Sequence, residues 1–223
     1  MLFRSINANN KVYISYAIAH KEPVRNNYED WNAGSEKPKA ERLNDLELGY
    51  KYQSSKFSAG ANFYYMNYKN QFVLTGELNS IGEAVTRNFE KTYRMGVELE
   101  AAWKPVSWFQ WDANATWSKN RAKDMMVTLE DGETNVNLGE TPLSFSTDFI
   151  FNNIFTFKYA GFKAAIQSQY VSDQYLTNTG FKTMECNDNV DPDTYEAKGN
   201  TCYETLLLKK HFTTNIDLSY HFS

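Results

Sequence analysis

The sequence predicts an all-β fold, an antiparallel transmembrane β-barrel segment of about eight to nine meandering strands. Nine segments show strand-like alternation of apolar and polar residues, and short turn-forming connections alternate strictly with long polar ones. The chain has 42% hydrophobic residues, yet it lacks the run of about 18 apolar residues that a transmembrane helix requires. Tight turns at one end of a sheet and long loops at the other are typical of outer-membrane barrels.

The clearest alternation lies in residues 91–103 and 108–121. Because successive side chains of a strand point to opposite faces, each segment has one apolar and one polar face. The apolar face of the first segment consists of Tyr93, Met95, Val97, Leu99, Ala101 and Trp103. Its opposite face carries Arg94, Glu98 and Glu100, charges that are costly to bury in a soluble core. We therefore expect the charges to face a wet lumen or a polar plug, and the apolar face to meet lipid.

The other predicted strands follow the same alternation. They cover residues 1–6, 12–20, 43–53, 57–74, 145–158, 162–176 and 206–222. Several are longer than ten residues, which is unusual in a soluble domain but suits a tilted strand that crosses a bilayer.

The connections predict which end of each strand lies outside the cell. Short connections fall at residues 7–10, 54–56, 105–107 and 160–161, and are assigned to the periplasm. Long connections fall at residues 21–42, 75–88, 122–144 and 177–205, and are assigned to the outside. Aromatic residues are expected to form two girdles at the membrane interfaces. The periplasmic girdle comprises Trp103, Trp108, Trp111 and Tyr159, and the outer one Tyr68, Trp117 and Tyr170.

Composition and charge narrow the class of partner. Aromatic residues make up 16% of the chain, an enrichment that suits interfacial girdles. The net charge is −4, which gives no basic footprint for nucleic acid. Outer-membrane lipid is the expected environment because of the strand and loop pattern. No signal peptide precedes the strand-like residues 1–6, so either it has been removed or the chain is a fragment, and we favour a fragment.

The last long loop contains Cys186 and Cys202, the two cysteines of the chain. In an oxidising compartment they are expected to pair, and closing such a loop stabilises by about 3 kcal/mol in the chain-entropy model. The acidic residues between Asp188 and Asp193 are interpreted as a solvated loop, since their spacing does not match an EF-hand calcium site. No metal site and no cofactor are predicted.

An enzyme is not predicted. The three histidines, His20, His211 and His221, lie in no recognisable nucleophile motif. Asp217 and His221 fall on one face of the last strand, and we interpret them as polar lining of the lumen. A complete small eight-stranded barrel with a structural or adhesive role remains the main alternative.

Several segments resemble TonB-dependent outer-membrane receptors, most closely the Bacteroidetes-type members. They are residues 11–25 (KVYISYAIAHKEPVR), 39–49 (KAERLNDLELG), 62–72 (NFYYMNYKNQF), 93–100 (YRMGVELE) and 169–178 (QYVSDQYLTN). The family typically has Lys-Pro-Glu before a Glu-x-Gly strand, and here Ala40 replaces the proline. Residues 215–223 resemble the third strand from the end of such receptors.

The resemblance implies a barrel of about 22 strands filled by an amino-terminal plug. Residues 1–223 then form an open or partial barrel segment that lacks the plug and is incomplete at both ends, an internal piece of the carboxy-terminal half. It also implies uptake of a scarce nutrient across the outer membrane of a Gram-negative bacterium. Ferric siderophores are the commonest substrates of the family, and corrinoids, haem and glycans are alternatives. The implied partners are that nutrient and the TonB complex, which acts through the absent plug.

Candidate ligand contacts are cationic and aromatic residues of the lumen and the outer loops, since such groups suit an anionic chelate. They are Arg25, Tyr28, Arg87, Arg94, Arg121, Tyr175 and Lys209. The competing interpretation pairs Arg94 with carboxylates of the lumen or plug and leaves the loop cations solvated.

Overall fold

The computed structural model describes residues 2–31, 36–128, 135–185 and 203–222. Apart from one short helix, its regular elements are strands. In chain order they are β1 (Leu2–Ser5), β2 (Asn10–Lys21), α1 (Arg25–Glu29), β3 (Glu41–Gln53), β4 (Phe57–Leu78), β5 (Ala84–Val106), β6 (Phe109–Ala122), β7 (Met126–Thr128), β8 (Asn135–Asn137), β9 (Thr141–Pro142), β10 (Phe149–Tyr159), β11 (Phe162–Val171), β12 (Gln174–Tyr175), β13 (Thr183–Glu185), β14 (Tyr203–Thr205), β15 (Leu207–Leu208) and β16 (His211–Tyr220).

One large antiparallel sheet contains all nine strands that the sequence predicts. Their order is β1-β2-β3-β4-β5-β6-β10-β11-β16, so each strand pairs with its predecessor in a meander, and β9 adds to the long-loop end of β6. The sheet does not close on itself, which confirms the prediction of an open or partial barrel. A closed eight-stranded barrel is therefore not the structure that these residues form. We call the two ends of the sheet the short-turn end and the long-loop end.

Cross-strand register separates an apolar face from a polar face. One row across eight strands contains only apolar and aromatic residues: Val12, Tyr50, Ala61, Leu99, Ala115, Phe151, Tyr170 and Phe212. A neighbouring row, displaced by one residue, contains Lys11, Lys51, Gly60, Glu100, Asn114, Asn152, Gln169 and Thr213. We call the first side the outward face and the second the inner face. A one-residue change of register would exchange them, so the pairing is strongly specified.

Aromatic side chains cluster at two levels of the outward face, as the sequence predicts. Near the short-turn end, the ring of Phe109 lies 6.3 Å from Trp103 and 5.3 Å from Phe157. Toward the long-loop end, Phe149 lies 4.8 Å from Trp117. The prediction is wrong for Tyr68, which points to the inner face because it falls on the inward-pointing positions of β4.

The predicted loop at residues 75–88 is largely a hairpin. The ladder between β4 and β5 continues to the pair Leu78 and Ala84, far beyond the length that crosses a bilayer. Two other predicted loops carry the small hairpins β7–β8 and β13–β14, and the first contains α1. Conversely, β10 begins at Phe149 and β16 at His211, later than the alternation predicts.

A two-residue turn joins β10 to β11. Ala160 and Gly161 both have positive φ, 45° and 81°, the conformation that tight hairpins of this handedness require. A Cβ atom on Gly161 would lie 2.9 Å from the carbonyl oxygen of His221. The absence of a side chain at this position therefore leaves space for the backbone that follows β16.

Replacing Gly161 with alanine is expected to lower the free energy of unfolding by about 1–2 kcal/mol from the left-handed backbone alone, and further from the contact with His221. A urea titration of the full receptor in detergent micelles measures the loss. Gly82→Ala is the matched control, because Gly82 has a φ of 82° but nothing within 4 Å of its Cβ position. Equal losses in the two variants would contradict the role of the contact.

Candidate functional site: the inner face and the long-loop end

Large polar side chains of the inner face reach across glycines to the next strand but one. Tyr13 on β2 lies over Gly49 and donates a hydrogen bond of 2.9 Å from its hydroxyl to Oδ1 of Asn62 on β4. Asn62 in turn donates to Oε2 of Glu98 at 3.2 Å. Four adjacent strands are thereby tied together, and the sequence pattern that marks this is a glycine on the polar face of an otherwise alternating strand.

The same arrangement recurs one row away. Nζ of Lys51 lies 3.3 Å from Oε1 of Glu100, two strands distant, with Gly60 between them. A Cβ atom on Gly60 would lie 2.6 Å from that carboxylate oxygen. Both charged side chains are more than half exposed, so the pair contributes little stability and leaves both charges accessible to a ligand or a plug.

Amides continue the inner face toward β16. Asn152 donates to Asn114 at 2.9 Å, and Gln169 donates to Asn152 at 2.8 Å. Gln167 donates to Oδ2 of Asp217 at 2.9 Å, which agrees with the interpretation of Asp217 as polar lining. This surface offers hydrogen-bond donors and acceptors but no acid–base pair set up for catalysis among the described residues.

Arg94 is the inner-face residue among the predicted ligand contacts. Its Nη1 donates to Oδ1 of Asn120 and to Oγ of Ser146, each at 3.3 Å. Both partners are neutral and both hydrogen bonds are long. Neither partner compensates the positive charge of the guanidinium, so an anionic ligand or plug residue could still pair with it.

Three predicted contacts lie at the long-loop end, two of them on α1 and one near the start of β5. Asn27 of α1 is buried and donates to Oγ1 of Thr86 at 2.9 Å, which fixes the helix against β5 next to Arg87. Arg25 and Tyr28 lie on the same helix, where Nε of Arg25 pairs with Oε1 of Glu29 at 2.7 Å. A pocket between this helix and β5 is lined by Arg87, by the aromatic residues Trp31 and Phe72, and by the carboxylates of Asp30 and Glu36, among others.

The remaining predicted contacts lie apart from that pocket. Arg121 makes a bidentate pair with Asp148, at 3.0 and 2.9 Å, and belongs to the outward-facing positions of β6. Tyr175 is in β12 and accepts a backbone hydrogen bond from Phe145. Lys209 follows β15 and is exposed. The structure therefore places Arg25 and Tyr28 on the helix that packs next to Arg87, while Arg121, Tyr175 and Lys209 lie on other elements.

Sequence reasoning missed a buried amide that ties distant loops together. Asn178 is 5% exposed, accepts a hydrogen bond of 2.7 Å from the backbone of Ser144, and donates one of 2.5 Å to the carbonyl of Leu74. No local pattern marks this residue, because its partners lie far away in the sequence. It connects the β4–β5 hairpin with two further loops.

Other predictions fall outside the described residues, namely the pairing of Cys186 with Cys202 and the acidic loop from Asp188 to Asp193. Within the described ranges, no group of three or more His, Cys, Asp or Glu side chains is placed to hold a metal ion. No helix in those ranges combines the length and apolar character needed to span a membrane.

A comparison with protein-family models decides the family. The model described as TonB dependent receptor-like, beta-barrel, matches residues 3–222. This chain belongs to the TonB-dependent receptor β-barrel family. Proteins of this family lie in the outer membrane of Gram-negative bacteria. In such a membrane an apolar outward face is expected to meet lipid, and short turns are expected on the periplasmic side.

Solved receptors of this family share the fold. The ferric yersiniabactin uptake receptor FyuA from Yersinia pestis is 16% identical with a TM-score of 0.66, over 98% of this chain and 28% of its own. The siderophore receptor PirA from Acinetobacter baumannii is 16% identical with a TM-score of 0.64, over 99% and 34%. The copper transporter OprC is 14% identical with a TM-score of 0.67, over 99% and 30%.

The chain spans about a third of the length of these TonB-dependent receptors, between 28% and 34%. At such identities the likeness concerns the fold alone. A comparison with curated protein sequences gave no significant match.

Proposed function

We propose that this chain is a wall segment of an outer-membrane receptor that takes up a scarce nutrient with energy from the TonB system. A ferric siderophore is the proposed substrate class. The observation that carries the proposal is family membership over residues 3–222. A pocket at the long-loop end, where Arg87 lies beside Trp31 and Phe72, adds support. In this role the protein transports its ligand and does not transform it.

Residues 1–223 are proposed to be one part of a larger barrel. The open sheet supports this, because all ten residues of the edge strand β16 are exposed. A plug in the complete barrel would cover the polar inner face and carry the contact with the TonB complex. The exposed pair Lys51–Glu100 and the amides of Asn114 and Asn152 are suited to hold it by hydrogen bonds.

Ligand recognition is proposed for the cations and aromatics of the long-loop end and the lumen. Arg25 and Tyr28 lie on α1, and Arg87 lies on the part of β5 next to that helix. Arg94 lies on the inner face of β5, closer to the short-turn end. Guanidinium groups bind anionic oxygens in a bidentate manner, which suits the catecholate or carboxylate groups of a ferric chelate. Tyr175 and Lys209 are proposed as outer contacts, with the pairing of Cys186 and Cys202 as a loop constraint. Arg121 is left out of the proposal, because it lies on the outward face and pairs with Asp148.

The uptake function is tested by deleting the gene of the full receptor and supplying single iron sources. Growth on one ferric siderophore is expected to fail, while growth on haem or unchelated iron persists. Unchanged growth on every ferric siderophore, with loss on a corrinoid or copper instead, would assign another substrate class.

The double substitution Arg87→Ala and Arg94→Ala in the full receptor is expected to weaken siderophore binding at least tenfold. The reason is that each lost charged hydrogen bond costs about 1.5–3 kcal/mol. Fluorescence titration measures the dissociation constant. Lys104→Ala, an exposed cation at the short-turn end, is the control and should bind normally. Equal affinity in all three proteins would remove these arginines from the site.

A further inference from the structure

The outward face of the sheet sorts its charges by sign. Consider the outward-facing positions of β2 to β6 in residues 10–20, 42–52, 57–69, 91–103 and 109–121. They hold five residues with a permanent positive charge, Arg42, Lys69, Lys91, Lys119 and Arg121, and no acidic residue. The acidic residues of the same segments all face inward: Asp45, Glu47, Glu98, Glu100 and Asp112.

Register places most of these cations side by side. His20 pairs with Arg42, Arg42 with Lys69, and Lys69 with Lys91. The row continues past β6, because the backbone N–H of Lys123 donates to the carbonyl of Lys91 at 2.9 Å. Directly opposite residues have Cβ atoms about 5 Å apart, and like charges at this distance destabilise a sheet. Such a row is tolerated best when anions lie between its members.

The protein itself supplies few of those anions. Arg121 has its own partner in Asp148, and Nζ of Lys91 lies 3.7 Å from the exposed carboxylate of Glu90. Glu140 also lies near the band, but its Oε1 accepts a hydrogen bond of 2.8 Å from the hydroxyl of Tyr93. Lys123 lies 5.1 Å above the ring of Tyr93, which places it on the outward face. No described carboxylate pairs with the side chains of Arg42, Lys69, Lys119 or Lys123. We call Arg42, Lys69, Lys91, Lys119 and Lys123 the basic band.

The basic band begins where the apolar surface ends. Lys119 shares a row with Leu46, Tyr65 and Met95, and the row of Arg42, Lys69 and Lys91 lies four residues higher. Four residues of strand measure about 13 Å, and less in depth because the strands are tilted. The row of Arg42, Lys69 and Lys91 therefore stands at the level of the outer headgroups, with Lys119 below it at the edge of the apolar surface. In the same segments, no outward-facing cation lies nearer the short-turn end.

We propose that the basic band binds the phosphate groups of anionic glycolipid headgroups in the outer leaflet. Neighbouring cations on adjacent strands are close enough for one phosphate to contact two of them, which replaces repulsion by two charge-assisted contacts. The one-sided placement decides between a lipid and a soluble anion, because the cations continue the lipid-facing surface and turn away from the lumen.

The test compares the full receptor with a fourfold variant in which Arg42, Lys69, Lys91 and Lys123 are replaced by glutamine. The control removes as many charges at the periplasmic end, by glutamine at Lys56, Lys104, Lys158 and Lys163, all of which are exposed. Each protein is placed in phosphatidylcholine nanodiscs and titrated with diphosphorylated lipid A, and bound lipid is counted by native mass spectrometry.

The fourfold variant is expected to bind lipid A at least tenfold more weakly than wild type, since each Lys or Arg near an anionic surface contributes about fivefold in affinity. The control is expected to match wild type. Heat-modifiable migration on gels verifies that every variant is folded. Equal lipid binding by wild type and the fourfold variant would overturn the proposal. Complete displacement of the lipid by millimolar inorganic phosphate would also overturn the proposal, because it would show that the site binds the free anion.

Discussion

Replacing Leu99 with arginine is expected to lower the free energy of unfolding of the receptor by about 2–4 kcal/mol. Leu99 lies in the row that is apolar across eight strands, and it is the middle of the five outward-facing residues of β5 from Met95 to Trp103. A cation there must leave water for the hydrocarbon centre of the bilayer. The measurement is a urea titration of the receptor refolded into lipid vesicles.

Thr116→Arg is the matched control for Leu99→Arg. Thr116 is the next residue after Ala115, the register partner of Leu99, and it points to the inner face. An arginine there meets the polar lumen, so a change of less than about 1 kcal/mol is expected. If the two variants lost equal stability, the assignment of the outward face to lipid would be wrong.

Replacing Gly96 with valine is expected to cost about 3 kcal/mol or more and to reduce the yield of folded receptor. A Cβ atom at this position would lie 2.5 Å from the backbone oxygen of Trp117 and 2.6 Å from the hydroxyl of Tyr64. Tyr64 can rotate away, but the backbone oxygen belongs to the β5–β6 ladder and cannot move without breaking hydrogen bonds. Heat-modifiable migration after membrane extraction measures the folded fraction.

Ala102→Val is the control for Gly96→Val because it adds a larger side chain to the same face of the same strand. The register partners of Ala102 are Ser58 and Asp112, neither of which crosses over it as Tyr64 crosses Gly96. Near-normal folding is expected. Equal loss in both variants would mean that any larger side chain on the inner face of β5 is harmful. That result would contradict a specific role for Gly96.

The membrane-crossing part of the fold was predictable because lipid imposes a strict rule there. Every second residue between Tyr93 and Trp103 must be apolar, so alternation, strand length and turn positions can be read directly from the sequence. Above the membrane that rule ends. The extensions of β4 and β5 to Leu78 and Ala84 are stabilised by pairing with each other, which leaves no periodic signal.

The candidate site was predictable only in its location. Topology brings the long connections to one end, so cations such as Arg25 and Arg87 had to lie there. Their partners were not predictable, because Asp148 is 27 residues from Arg121 and Asn27 is 59 residues from Thr86. The short helix α1 has no apolar periodicity. It is held against the β4–β5 hairpin by the amides of Asn27, which donates to Thr86, and Asn26, which donates to Oε2 of Glu83, rather than by a hydrophobic stripe.

The extended β4–β5 hairpin bears on how tightly a ligand can be held. An ordinary mobile loop loses conformational entropy when it closes around a ligand, and that loss subtracts from affinity. Here the ladder that crosses the membrane keeps one register through Leu74, missing only the pair of Asn70 and Glu90, and resumes at Leu78. The helix α1 is fastened to it through Asn27. Much of the frame around Arg87 is therefore already ordered before any ligand arrives. Such preorganisation would raise the affinity of a receptor for a dilute nutrient, because little of the free energy of the ligand contacts is lost in ordering the loops.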